Sequence, residues 1–132
     1  MSVGLILEGG GTRGVYTAGV LDALMDNDIF VGNVYGVSAG ACNSLSYISR
    51  QRGRSFEIFY NYIRNPRYLG AGSYLKTGSV FGLDFIFNEL SKELVPFDYF
   101  EFFKSHMRLT VGTTDCETGK PLYFTKEDLD ES

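Results

Sequence analysis

Residues Gly36-Val37-Ser38-Ala39-Gly40 form a G-x-S-x-G pentapeptide between an apolar stretch and a run of small residues. In that setting the pattern is a nucleophile elbow. A serine on a sharp strand-to-helix turn needs neighbours without bulk, so that its hydroxyl projects into a site. Ser38 is the candidate nucleophile, with Gly36 and Gly40 as the residues that make room for it. Upstream, Gly9-Gly10-Gly11-Thr12-Arg13-Gly14 follows another apolar run, residues 3–7, and opens a second helical pattern. Backbone N–H groups at such a turn have no helical acceptor and can hold a developing oxyanion. Two turns of this kind offer a nucleophile and the donors that stabilise what its attack creates.

Three other readings of these residues compete. Gly9, Gly11 and Gly14 also satisfy G-x-G-x-x-G, a dinucleotide fingerprint, but that fingerprint wants an acidic residue at the end of the second strand, where this chain has the elbow. Cys42 is either a rival nucleophile or a buried cysteine packing as a small hydrophobe. His106 is the single histidine and must be weighed as a base. It stands at the start of an expected strand, whereas catalytic groups of open parallel sheets gather at carboxyl ends, so a structural or surface role is expected.

The elements that would carry these residues follow from periodicity. Residues 3–7 read as a buried parallel strand stopped by glycines, 15–26 as an amphipathic helix and 33–37 as the next strand, a βαβ unit. Residues 39–49 and 56–63 read as helices, the second heavily aromatic and ended before Pro66. The glycine- and hydroxyl-rich stretch 70–82 reads as a mobile loop or lid. Helical period returns over 83–94 and 97–103. Residues 107–113 and 121–125 read as strands joined by a turn around Gly119. The aromatic segments 56–62, 80–87 and 97–103 suit either an acyl-chain pocket or ordinary core.

Taken together, the glycine cluster on the first strand, the elbow, and Thr114-Asp115-Cys116-Glu117-Thr118-Gly119 after a later strand resemble the patatin-like phospholipase family over essentially the whole chain. The resemblance implies a three-layer α/β/α domain with a mainly parallel sheet. It also implies a serine lipid acyl hydrolase: Ser38 attacks an ester carbonyl, the amides of Gly10 and Gly11 hold the oxyanion, and an aspartate takes the serine proton with no histidine. Gly9, Thr12, Arg13, Gly14, Gly36 and Gly40 support the two motifs. Arg13 either favours an anionic transition state or pins its loop through a carboxylate. In the family the aspartate sits in a D-G-G or D-G-A motif beyond the hairpin. Here none of Asp84, Asp98, Asp115, Asp128 or Asp130 precedes glycine. Residues 1–132 are therefore expected to be a C-terminally incomplete patatin-like domain whose base is absent. The alternatives are a catalytically silent relative that binds a lipid or a partner, and an acyltransferase.

Composition fits one domain: 132 residues with 44% hydrophobic content bury about two-thirds of the unfolded surface. No apolar run reaches the roughly 20 residues of a membrane span, and no charged leader precedes the first strand, so a cytoplasmic location is expected. Cys42 and Cys116 lack metal-ligand spacing and read as reduced thiols; no metal or cofactor is expected. The net charge of −4 hides a segregation, with Arg50, Arg52, Arg54, Arg64 and Arg67 facing only Glu57 in residues 50–67. That cluster is either a solvated corner or a peripheral membrane contact. Nucleic acid is excluded as a partner by the acidic balance and the lack of a recognised motif. The expected partner is a lipid or acyl-ester substrate, with self-association through an unpaired edge strand.

Overall fold

A computed structural model describes residues 3–129. One compact unit comprises the residues up to Ser55 together with those from Asp98 onward, and Phe56–Phe97 forms a second.

The first unit holds the sheet. Strands β1 (Gly4–Leu7), β2 (Asn33–Val37), β3 (Arg108–Thr114) and β4 (Pro121–Thr125) lie side by side in chain order. β1, β2 and β3 are parallel, and β4 pairs antiparallel with β3. Helix α1 (Gly14–Asp26) connects β1 to β2, and helix α2 (Ala39–Ile48) follows β2. Strands added in one direction by right-handed crossovers place both helices on the same face of the sheet, and α1 packs on α2. The register sets Leu5 beside Val34 and Leu109. Val34 and Leu109 are buried with Leu7, Ala18, Leu21, Tyr47, Ile48 and Phe102. Alternation puts Ile6, Tyr35 and Val37 on the other face, where all three are exposed. The α/β class with a mainly parallel sheet is therefore as the sequence implied. Of the two expected helical layers, the one formed by α1 and α2 is the layer that these crossovers build.

Tyr47 is fully buried, and its hydroxyl donates to Ile29 O at 2.8 Å and accepts from Val31 N–H at 2.9 Å. It thereby fixes the entry to β2. Helix α3 (Arg54–Tyr62) begins in the first unit, where Arg54 and Ser55 are buried against the Ser46 hydroxyl. Helix α5 (Tyr99–Lys104) is capped by the Asp98 carboxylate, which accepts Glu101 N–H at 2.9 Å, and it leads into β3.

The second unit contains the rest of α3, helix α4 (Ala71–Thr77) and a wide, π-type helix at Phe85–Leu94. Its core is Phe85, Leu90 and Val95, with Ile58, Tyr62, Tyr68 and Ile86 packed around it. Here the expectation of a loop over 70–82 is corrected, because α4 occupies most of that stretch. A bridge between Leu69 and Phe81 closes its ends, with Gly70 N–H donating to Val80 O and Gly82 N–H to Tyr68 O. Among the described residues no helix is long and apolar enough to cross a membrane.

Candidate active site

Both glycine-rich turns leave the carboxyl ends of parallel neighbours, β1 and β2, so the fold brings them together at one edge of the sheet. Ser38 joins β2 to α2 with φ 53° and ψ −124°, a combination that costs a non-glycine residue about 1–3 kcal/mol and persists only where the surroundings enforce it. They do. A Cβ on Gly36 would sit 2.6 Å from Ala41 Cα, and one on Gly40 would run into the carbonyl oxygen of Leu7 and stand 2.7 Å from Glu8 O. Helix α2 is thus pressed end-on against β1 and β2, and the turn carrying Ser38 has no slack. Ser38 itself is exposed.

The glycine loop lies against that serine. A Cβ on Gly9 would come within 3.2 Å of Ser38 Cβ and 3.8 Å of Ser38 Oγ. A short 3₁₀ turn, Gly11–Arg13, opens α1, with Gly11 at φ 54°. Arg13 N–H is its first donor, bonded to Gly10 O at 3.1 Å, so the amides of Gly10, Gly11 and Thr12 precede the hydrogen-bonded ladder. The Arg13 side chain runs back over Gly10, where an added Cβ would meet its Nε at 3.8 Å. Thr12 is exposed and Gly14 buried.

One residue outside both motifs joins them. Asn43 is 1% exposed and donates from Nδ2 to Gly14 O at 2.8 Å. It ties the loop at the head of α1 to the helix that starts at Ser38. The motifs do not contain it; the one signal for it was an amide side chain in an otherwise small and apolar first half of α2.

The other candidates separate from this edge. Cys42 is exposed, which corrects the expectation of a buried cysteine. Packing around its sulfur nevertheless pushes the thiol above its usual range, the opposite of an activated nucleophile. His106 precedes β3, and the pairing of Asn33 with Arg108 and Val37 with Gly112 puts it at the amino end of the sheet. β2 is 5 residues long, so about 16 Å of strand separates the two ends. Four aspartates are engaged elsewhere. Asp26 holds Arg52, Asp84 accepts from Asn88, Asp98 caps α5 and Asp128 closes a capping box with Thr125. Asp115 lies at the Ser38 end of the sheet but accepts from the Thr118 hydroxyl at 2.7 Å and from Glu117 N–H at 2.9 Å. Those bonds, the hydroxyl first, hold its carboxyl below the ordinary value of 3.8. Asp130 lies outside the described residues. Among the described residues no carboxylate is bonded to Ser38 Oγ.

Three of the arginines in residues 50–67 are paired or buried. Arg52 forms a fork to Asp26 at 2.9 and 3.0 Å, Arg67 a fork to Glu89, and Arg54 is buried.

The uncharacterized protein YjjU of Escherichia coli K12 is 30% identical over 93 residues, which cover 70% of this chain and 26% of that protein. The matched segment is thus about a quarter of that relative's length. No solved structure matches. The profile of the Patatin family, described as patatin-like phospholipase, matches residues 5–131, and with nearly every residue inside that match the chain belongs to the patatin-like phospholipase family.

Proposed function

We propose that this chain carries the nucleophile and oxyanion half of a serine lipid acyl hydrolase. The observation that supports it most is the backbone of Ser38, held at φ 53° by glycines that could not bear a Cβ. In this reading Ser38 Oγ adds to the ester carbonyl carbon. The carbonyl oxygen takes the negative charge and is bound by the amides of Gly10 and Gly11, each worth about 3 kcal/mol in such a site. The intermediate then collapses with loss of the alcohol, leaving an acyl-serine that water hydrolyses. Asn43 keeps the two turns in register, because a displaced donor loses its hold on the oxyanion. The serine proton goes to a carboxylate that is not among the described residues.

That last point favours a second reading, a relative that binds an acyl ester without turning it over. Loss of the partner that activates a nucleophile leaves only about 10³- to 10⁴-fold catalysis over water. A fluorophosphonate probe, with the adduct located by mass spectrometry and Ser38→Ala as control, separates the readings. An adduct on Ser38 would mean that a base reaches it, within the chain or from an associated copy, and would carry the hydrolase reading for this polypeptide. Folded protein that binds phospholipid vesicles but takes no adduct would establish the silent reading for this polypeptide.

A further inference from the structure

At the opposite end of β2 lies an open cleft of about 440 Å³. Phe30, Arg50, Glu101, Lys104, His106 and Met107 are among the residues that line it. From this cleft we infer a binding site for a phosphate group on a small ester, separate from Ser38.

Arg50 carries the argument. It stands at the position after α2 where a left-handed residue closes the helix, usually glycine. Arg50 N–H donates to Tyr47 O at 3.2 Å and Gln51 N–H to Ser46 O at 2.8 Å, with Arg50 at φ 57°. Glycine would take that conformation without strain. The arginine side chain stacks on Phe30, its Cζ 4.2 Å from the ring centroid, and Phe30 stacks in turn on Tyr47 at 5.6 Å. Among the described residues no acceptor meets the guanidinium, in contrast to the forks of Arg52 and Arg67.

The turn that bears it is anchored on several sides. Arg52 is clamped to Asp26, Gly53 N–H donates to the Asp22 carboxylate at 2.9 Å, and Gln51 Oε1 accepts Asp98 N–H at 2.9 Å. A planar fork of donors held on an aromatic face is suited to a tetrahedral oxyanion. Lys104, whose ammonium lies 5.5 Å from the Phe100 ring centroid, and His106, with its ring nitrogens, line the same cleft. Glu101, the one acid in the lining, is already bonded to Lys104 at 3.1 Å, so the cleft keeps an excess of positive charge. Its volume exceeds what a bare phosphate fills and lies in the range of small-ligand sites. Phe30 and Met107 give an apolar wall to the rest of the ester. The phosphate chemistry is shared by a lipid headgroup and a soluble phosphate ester.

Because His106 is the only histidine, its ring C–H resonances report on the cleft without assignment of other residues. The experiment titrates the full chain with inorganic phosphate at constant ionic strength. The expected result is a saturable shift of the His106 signals. Affinity should fall about 10- to 100-fold in Arg50→Gly, the loss of one charge-assisted group, and fall also in Lys104→Met. Arg50→Gly keeps the left-handed cap, so the variant folds; Lys104 is exposed on α5 and its replacement is a second, independent check. Competition then identifies the source. Tighter binding of a short-chain phosphatidic acid below its micellar concentration points to a lipid headgroup, and tighter binding of glycerol phosphate to a soluble ester. A linear, unsaturable shift, or equal affinity in Arg50→Gly, overturns the site. Esters that bind no better than phosphate itself overturn the role given to Phe30 and Met107.

Discussion

Helix α2 is bracketed by two non-glycine residues with left-handed φ, Ser38 at 53° and Arg50 at 57°. At the Ser38 end the conformation is imposed by packing: the neighbouring glycines touch backbone, and a methyl group at either would displace a strand or a helix. At the Arg50 end it is imposed by two cap hydrogen bonds. The same backbone strain therefore comes from two causes, close packing in one place and hydrogen bonding in the other. The tests that follow separate these causes, because only packing makes the neighbouring residues irreplaceable.

The largest effect is expected from Gly40→Ala. The new Cβ meets the Leu7 carbonyl oxygen, a backbone atom that cannot rotate away, so β1 must separate from α2. A loss of about 3 kcal/mol or more is expected, measured as a fall in the urea midpoint or as failure to recover folded protein. Gly53→Ala provides the contrast, since Gly53 sits in open space at φ 82° and strain of only about 1–2 kcal/mol follows. Equal losses for the two would mean that α2 is not pressed against β1.

Asn43→Ala comes next. It removes the buried side-chain donor to Gly14 O and empties the space that the amide fills, and should cost about 1–3 kcal/mol. More tellingly, it should speed amide exchange in the 9–14 loop while leaving the Ser46 to Gly53 turn protected. Uniform acceleration along the chain would show that Asn43 contributes only general stability.

What the sequence could and could not disclose follows the same division. Strands β1 and β2, helices α1 and α2 and the elbow were legible because each is specified by residues within one short window: an apolar run, a glycine turn, a 3.6-residue period. Asn43 was not, because its importance depends on a carbonyl 29 positions away. Helix α4 was hidden among glycines and hydroxyls, since the Leu69–Phe81 bridge, not helix propensity, closes that segment. Cys42 was misjudged because a position on α2 does not reveal which of its sides the sheet covers. The cleft beside Arg50 was illegible for a related reason: Phe30, Arg50 and His106 are brought together only when β2 and β3 pair.

Glycine substitutions at the two bracketing residues sharpen the comparison further. Ser38→Gly relieves strain and should raise stability by about 1 kcal/mol, while abolishing any adduct with a fluorophosphonate probe. For Arg50→Gly the same relief is offset by loss of the stacking on Phe30, about 0.5–1 kcal/mol at an exposed site. Its denaturation midpoint should therefore stay within error of the parent, with any Ser38 labelling intact. A marked destabilisation of Ser38→Gly would show that the hydroxyl, and not the surrounding glycines, maintains the elbow.

The smallest effect is expected at the β3–β4 turn, the third of the motifs read in the sequence. Asp115 is partly exposed, and the Thr118 hydroxyl and Glu117 amide lower its pKa below 3.8. A carboxyl with a depressed folded pKa contributes stability that is present above its unfolded pKa and lost as pH falls through the folded one. Thr118→Val removes the larger of these bonds, so it should raise the Asp115 pKa towards its ordinary value and lower stability slightly at neutral pH. The difference from the parent should vanish once the solution is acidic enough to protonate Asp115 in both proteins. A carboxyl-carbon NMR titration of Asp115, read beside denaturation midpoints at both pH extremes, checks the sign. A difference that persists in acid would mean that Thr118 acts through packing or through the turn backbone, and that the charge on Asp115 is incidental to the hairpin.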